Sequence, residues 1–588
     1  MSIPSKNTNI NLFNYQNFLK SKDIYYLFNI SKIEKIKDNN NVLYMIKNKF
    51  IELINNNSSS NYLYTFILGD NRYIDKDVKS SYQSLGISHL FSISGMHVSI
   101  LSGIILKILS KFKINELYKY ILCCCFIMFY MFLVSFCPSA LRSGIFFIFL
   151  SINKIFNFNI KPFNLLLLTI SIILFMNHFI VYNAGFLFSV IITASLIVFS
   201  SIINRYDNYL YRLLSTSFIA FLFSFPLSIY NYYQINILTV LYNLIFVPII
   251  SNIIFPLSLL CFIFPFLSSI FEVLINIVEY LAIKLSSLNT NIIFCKPSLI
   301  IVFIYYFIIY IVLYYRKKIH IFILFIILLI HYNYNIIFFS NYMLMIDVGQ
   351  GDSLLLHSGK YNILVDTGGN YNNTLASNTL IPLFKSLGIR KIDYLFLSHG
   401  DYDHLGEAVR LIEGFEVNYV FFNEGEFNYN EKEIIKFLEK KNINYSISYE
   451  GSYYKIGDYE FYSLGSNLDD ENDSSMILYG KIKNNSFLLM GDASIKSEEA
   501  LLSKYSVSQI DVLKVGHHGS RTSTSDLLVK TINPKYSLIS VGKDNKFSHP
   551  NEEVLNILDD SKIYRTDQDG SIMFKIKNNK LKIETCSQ

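Results

Sequence analysis

Charge is nearly missing from almost half of this chain. Between about Ser88 and Ser340 Asp, Glu, Lys and Arg become rare and apolar residues dominate, which excludes an ordinary soluble domain there and leaves a lipid bilayer as the solvent for that stretch. Cysteine is sparse as well: there are seven, with no CxxC pair, and Cys123, Cys124, Cys125, Cys137 and Cys261 lie in apolar segments where they act as small hydrophobes. That pattern excludes a disulfide framework. No apolar run of membrane length begins before about Ile87, so no signal peptide is expected. The formal charge of +6 is small for 588 residues; it permits a polyanionic partner without singling one out.

What is there divides into three parts. Residues 1–85 mix polar and apolar positions and carry no readable chemistry. Residues 86–340 hold apolar spans near 89–110, 118–136, 139–155, 162–180, 184–203, 213–232, 238–266, 269–287, 298–315 and 319–340, about ten crossings at roughly 20 residues each. The seventh is long, and Pro248 or Pro256 is expected to break it. Residues 341–588 regain charge and read as a soluble domain. Loop cations fall mostly on one side of the ten-span arrangement, at Lys111, Lys113, Lys154, Lys161, Arg205, Arg212, Arg316, Lys317 and Lys318, with mainly Lys284 and Lys296 opposite. The positive-inside rule then places the soluble domain on the outer face, a result that one miscounted span would reverse.

Polar residues punctuate the apolar half. Ser88, His89, Ser92, Ser94 and His97 fall in the first span, where they face protein or water: as packing and hydrogen-bonding groups, or as the lining of a path. Arg142, in Pro138-Ser139-Ala140-Leu141-Arg142, either contacts a phosphate or snorkels to the interface.

In the soluble part, the apolar run Asp393–Leu397 leads into Ser398-His399-Gly400-Asp401-Tyr402-Asp403-His404, four metal-competent side chains in six residues. Met490-Gly491-Asp492, Lys514-Val515-Gly516-His517-His518 and Ser548-His549-Pro550 repeat the logic of a strand followed by a ligand. Strands and helices alternate through both halves of the domain, which predicts a four-layer αββα sandwich with the ligands collected along one edge. Asp352 and Asp366 end tight glycine turns, where they either orient the metal loop or cap the turn.

These residues, in this order, resemble the ComEC family of DNA-uptake proteins over nearly the whole chain. The likeness rests on Ser88–Val98, Pro138–Arg142 and Phe225-Pro226 through Asn243–Pro248 in the apolar half. In the soluble half it rests on Asp347–Ser353, the His399 cluster, Gly491-Asp492 and His517–Ser520. It implies a polytopic α-helical membrane domain followed by a soluble α/β metallo-β-lactamase-fold domain, with residues 1–85 a remnant of an OB-type region whose earlier part is absent. The function implied is a channel for single-stranded DNA in natural transformation, multi-pass in the bacterial inner membrane, with a metal-dependent DNA phosphodiesterase acting on the incoming DNA. A non-catalytic DNA-guiding lid and a small-solute transporter fused to a hydrolase are the alternatives.

By the same resemblance His399, Asp401 and one of His517 or His518 hold one ion, Asp403 and His404 the other, and Asp492 bridges. Asp403, Lys514 and His549 are the candidate catalytic groups, and His89, Ser94, His97 and Arg142 line the substrate path. Implied partners are DNA, the bilayer, a DNA receptor, a cytoplasmic translocation ATPase and a second copy of the chain. Two departures bear on the metal. Asp401 stands where the general HxHxDH pattern has histidine, and Asn472-Asp473-Ser474-Ser475 stands where many relatives have a further one. Carboxylate in place of imidazole hardens the site, tilting it from Zn²⁺ toward Mn²⁺ or Mg²⁺ without excluding Zn²⁺.

Overall fold

The computed structural model describes residues 2–30, 32–33, 41–55, 57, 60–338, 340–370, 374–465, 470–577 and 580–586. The chain forms two compact units: Met1–Pro4, Tyr15–Ile292 and Pro297–Leu324 make the first, and Ser5–Asn14, Ile293–Lys296 and Phe325–Gln588 the second.

The first unit is helical. Proline opens Pro138–Ile155 and Pro162–Met176, where its missing N–H costs no hydrogen bond. Asn115, Asn183, Asn208 and Ser298 each accept from a first-turn amide of the helix they precede. Helices occupy much of each stretch expected from hydropathy to span. Among the described residues, however, only Glu116–Leu133, Tyr209–Asn231, Thr239–Ile263 and Pro265–Ser286 are long and apolar enough to cross a membrane, while five more apolar helices have 10–17 residues. The first span starts later than expected. His89 lies in a separate short turn, Ser88–Phe91, and the helix is Gly95–Leu109, capped at Ser94. In the seventh span the α-helix stops at Ile249 and gives way to a π-turn, Ile250–Ile254, before resuming at Phe255. The π-turn lies between Pro248 and Pro256, each of which lacks the N–H that continues an α-ladder.

The second unit is built on two sheets. The eight-stranded sheet runs in the order Asn444–Ile447, Tyr419–Phe422, Tyr394–Leu397, Tyr361–Val365, Leu354–Ser358, Asn341–Met345, Ile572–Lys577, Lys580–Thr585. The seven-stranded sheet runs Tyr453–Ile456, Tyr459–Ser463, Leu478–Ile482, Asn485–Leu489, Val512–Lys514, Tyr536–Ile539, Lys562–Arg565. Side-chain alternation assigns neighbours to opposite faces. Leu354, Leu356, Ile363 and Phe396 point between the sheets, where Phe461, Phe487 and Leu538 meet them. Leu355, Leu364 and Leu395 point outward under a helical layer that includes Phe384, Leu411 and Leu438. A second outer layer, with Leu501, Leu528 and Ile532, covers the other sheet. Strands covered on both faces explain the unbroken apolar runs in the sequence. Residues 5–14 also belong here: Asn9 donates to the Asp347 carbonyl at 2.8 Å and accepts from its amide at 3.1 Å, and Ser571 donates to Thr8 O at 2.7 Å.

Candidate metal centre

Strand direction gathers the candidate ligands. Tyr361–Val365 and Tyr394–Leu397 run parallel in one sheet, and Asn485–Leu489, Val512–Lys514 and Tyr536–Ile539 run parallel in the other. The residues that follow them, Asp366, Ser398–His404, Asp492 and His517-His518, therefore emerge at one edge. Asp352 joins them because it precedes an antiparallel strand, Leu354–Ser358.

Three imidazoles share one arrangement. Nδ1 of His399 is 3.0 Å from Ser398 Oγ, Nδ1 of His404 is 2.9 Å from Asp366 Oδ2, and Nδ1 of His518 is 2.9 Å from the Ser540 carbonyl. In all three the Nε2 atom is buried and makes no well-aligned hydrogen bond, and the same holds for Asp352 Oδ1 and Asp492 Oδ1. Asp492 is the hub, with His404 Nε2 at 3.1 Å from Oδ1, and His518 Nε2 at 3.6 Å and His517 Nε2 at 3.9 Å from Oδ2. Asp403 Oδ2 lies 3.3 Å from His518 Nε2. Four ligand triads come within 4.8 Å: His399–His404–Asp492, Asp403–His404–His518, Asp352–Asp366–His404 and Asp352–Asp492–His518. Oriented imidazoles with orphaned buried nitrogens, set against carboxylates, suit one or two divalent cations.

Electrostatics point the same way. Burial alone would lower the His404 imidazole, but Asp492, Asp366 and Asp352 outweigh it and raise the group well above its ordinary value. His518 meets the same opposition between burial and the carboxylates of Asp492, Asp352 and Asp403, and is pushed up to about 10. Burial would raise Asp492, yet His404 and His518 hold it well below the usual range. Asp352, equally buried, is held down by Lys514 and His404. The carboxylates demand positive charge at the imidazole nitrogens, which a divalent ion supplies as a proton does.

Not every expected residue joins the triads. Asp401 is half-exposed and touches His399 Nε2 at 3.6 Å without entering a triad. His517 also stands outside them, with Nδ1 3.1 Å from Thr522 Oγ1, so His518 rather than His517 belongs to the cluster. His518 sits with Asp403 and His404, a different grouping from the one expected. Lys514 is buried, paired with Asp352 and donating to Gly491 O at 2.9 Å. His549 lies at the rim, its ring 6.0 Å from that of His517. His517 and His518 have φ of 44° and 54°, strained values that fix both rings at this edge.

Asp352 and Asp366 enter the triads, and Asp366 orients rather than caps a turn: its carboxylate accepts from Ser398 N at 2.8 Å and Ser398 Oγ at 2.7 Å as well as facing His404. Gly351, at φ 124°, sits where a Cβ would strike the Asp403 carbonyl, which keeps the Asp352 turn against the metal loop. The residue just before the stretch that lacks the expected histidine supplies a carboxylate. Glu471 accepts from Gly400 N at 2.8 Å and from Asn428 Nδ2 at 3.1 Å, while Asn428 and Asn430 donate to Gly400 O. The sequence reading missed these three because they act on backbone.

In the helical unit His89 is exposed, with Nδ1 3.2 Å from Gly86 O. His97 is fully buried and accepts from Ser94 N at 3.2 Å, capping its own helix. Arg142 is buried beside Ser189.

Two sheets between helical layers, with a His/Asp centre at the shared strand ends, define the second unit as a metallo-β-lactamase-fold domain. A family model described as Metallo-beta-lactamase superfamily matches residues 346–543, and one described as Competence protein matches residues 66–319. ComE operon protein 3 of Bacillus subtilis (strain 168) is 27% identical over 608 residues, covering 96% of this chain and 78% of that protein. Competence protein ComA of Neisseria gonorrhoeae is 31% identical over 244 residues, 39% of this chain and 31% of that protein. Among solved structures, the metallo-beta-lactamase fold protein YhfI from Bacillus subtilis is 13% identical with a TM-score of 0.31, over 40% of this chain and 99% of that one. The chain belongs to the ComEC family of competence proteins.

Proposed function

We propose that this protein passes one strand of DNA across the bacterial inner membrane during natural transformation, and that its metallo-β-lactamase-fold unit is a metal-dependent phosphodiesterase acting on incoming DNA. The observation that carries the reading is the convergence of orphaned His399, His404, His518 and Asp492 atoms in a chain that also carries the competence region. The excess of loop cations on one side of a ten-helix arrangement supports a multi-pass protein with the enzyme unit on the outer face.

His399, His404 and Asp492 would hold one ion and Asp403 and His518 a second, with Asp352 within reach of His518 and Asp492. Mn²⁺ or Zn²⁺, with Mg²⁺ a third candidate, would supply Lewis acidity toward a phosphoryl oxygen and lower the pKa of a water. Lys514 acts through Asp352, balancing its charge from within the protein. His549, on the rim and pushed below its ordinary value by burial and by His518 and His517, is the group placed to give a proton to a leaving oxygen or to receive one.

The test uses the full chain, since residues 5–14 pack with the soluble unit. Purified protein with Mn²⁺ or Zn²⁺ should cut a labelled single strand, and His404→Ala should cut at least a hundredfold more slowly, as loss of a metal ligand predicts. In a transformable host lacking its own gene, the wild type should restore uptake. Restored uptake without cleavage under any metal would remove the phosphodiesterase and leave a DNA-guiding lid.

A further inference from the structure

Arg142 is 3% exposed, in an apolar helical unit, and among the described residues it has one hydrogen bond, from Nε to Ser189 Oγ at 2.7 Å. Its Nη1 is buried with no partner. The unit's other ion-paired cations have carboxylates: Asp70 for Arg72, Glu116 for Lys119 and Asp207 for Arg212. Arg142, unlike these, has no carboxylate partner among the described residues. A guanidinium does not shed its proton, so a buried one without a counter-charge is costly unless an anion comes to it. Snorkelling does not relieve the cost, because the side chain stays inside the protein rather than reaching an interface.

The start of the helix Gly95–Leu109 lies beside it. Arg142 Nη2 is 2.9 Å from where a Cβ on Gly95 would stand, so glycine keeps the space between guanidinium and helix end clear. The amides of Gly95 and Met96 have no intrahelical carbonyl to reach, and the dipole of this 15-residue helix adds partial positive charge at the same point. His97 fixes that end from behind: Nδ1 accepts from Ser94 N, and the ring packs 4.6 Å from Phe255. A planar donor fork facing free helix amides is a clamp for a tetrahedral oxyanion.

We infer that Arg142, Ser189 and the amide end at Gly95 bind one phosphodiester group of a nucleic-acid strand in transit, without reading its bases. The inference rests on the transport reading above. One guanidinium and one helix end match the single negative charge of a phosphodiester, and nothing in the clamp reaches a base edge.

The test is fluorescence anisotropy of a labelled oligo(dT) with the full chain in phosphatidylcholine nanodiscs, with EDTA present so that the probe is not cut. Arg142→Gln should bind roughly tenfold more weakly, the worth of one charge-assisted contact. It should also reduce the slope of log K against log[salt] by about 0.7, the value for one phosphate contact on a single strand. Arg142→Lys, which keeps charge but loses the fork, should fall between. Thermal melting reports whether each variant is folded; if Arg142→Gln is not, Ser189→Ala, which frees the guanidinium and keeps its charge, should weaken binding several-fold. Wild-type binding with unchanged affinity and slope in the variants overturns this inference alone. No binding by the wild type removes the transport reading as well. Unchanged oligonucleotide binding alongside altered retention of phosphatidylglycerol assigns the clamp to lipid and overturns the inference.

Discussion

Asp366 holds the metal loop by three hydrogen bonds, two from Ser398 and one at His404 Nδ1. The bond at His404 leaves Nε2 facing Asp492, and the pair from Ser398 fixes the chain from which His399 projects. Asp366→Asn should keep the fold and lower metal affinity by about ten- to a hundredfold, as loss of an orienting carboxylate does. Titration of the full chain against a competing chelator measures it; affinity within twofold of wild type would refute the orienting role. At this scale the sequence was legible wherever a candidate ligand that joins the cluster follows a strand, as at His399, Asp492 and His518. It was not legible for Glu471, Asn428 and Asn430, because a side chain that hydrogen-bonds the Gly400 backbone leaves no spacing pattern. Nor could sequence choose between His517 and His518: adjacent histidines at φ 44° and 54° point apart by a backbone geometry that composition does not encode.

Helix starts and breaks show the same limit. Hydropathy sees Leu90, Phe91 and Ile93 as part of a span, but the helix begins at Gly95, after a Ser94 cap whose amide the His97 ring takes. In the metallo-β-lactamase-fold unit the helix Tyr429–Lys441 begins with a capping box: Asn428 accepts from Glu431 N at 3.1 Å, and Glu431 Oε2 accepts from Asn428 N at 2.8 Å. Burial, with Glu471 and Asp401 nearby, raises the Glu431 carboxyl from 4.5 to about 7, against the backbone hydrogen bond that lowers it. A raised folded-state value means the folded protein binds this proton more tightly than the unfolded chain. The resulting stability is complete below the unfolded value of 4.5 and is lost as pH rises through about 7. With about 1.4 kcal/mol per pKa unit, the loss is on the order of 3 kcal/mol. Glu431→Gln keeps the cap acceptor and removes the titration, so its melting temperature relative to wild type should rise between pH 5 and pH 8. A difference that stays constant over that range would dismiss the assignment.

For the whole molecule, charge returns in the sequence near residue 341, where the first strand of the large sheets, Asn341–Met345, begins, although the second unit already takes in residues from Phe325 onward. What composition could not show is that the metallo-β-lactamase-fold unit also takes in residues 5–14, because long-range hydrogen bonds made by one asparagine have no periodicity. Asn9 is 5% exposed and satisfies both the amide and the carbonyl of Asp347. Asp347 in turn accepts from Gly349 N at 3.0 Å, at the head of the turn whose Asp352 amide donates to the Asp403 carbonyl. Asn9→Ala leaves the Asp347 backbone groups without these partners, at a cost of about 1–3 kcal/mol for an unsatisfied buried group. The metallo-β-lactamase-fold unit should become correspondingly easier to open, read as faster amide hydrogen exchange at residues 341–358, while exchange in the helix Glu116–Leu133 of the other unit should not change. Equal acceleration in both would mean that Asn9 stabilises the chain by some route other than Asp347. Loss of metal affinity together with faster exchange would trace the effect along the turn from Asp347 to Asp352 and into the metal loop.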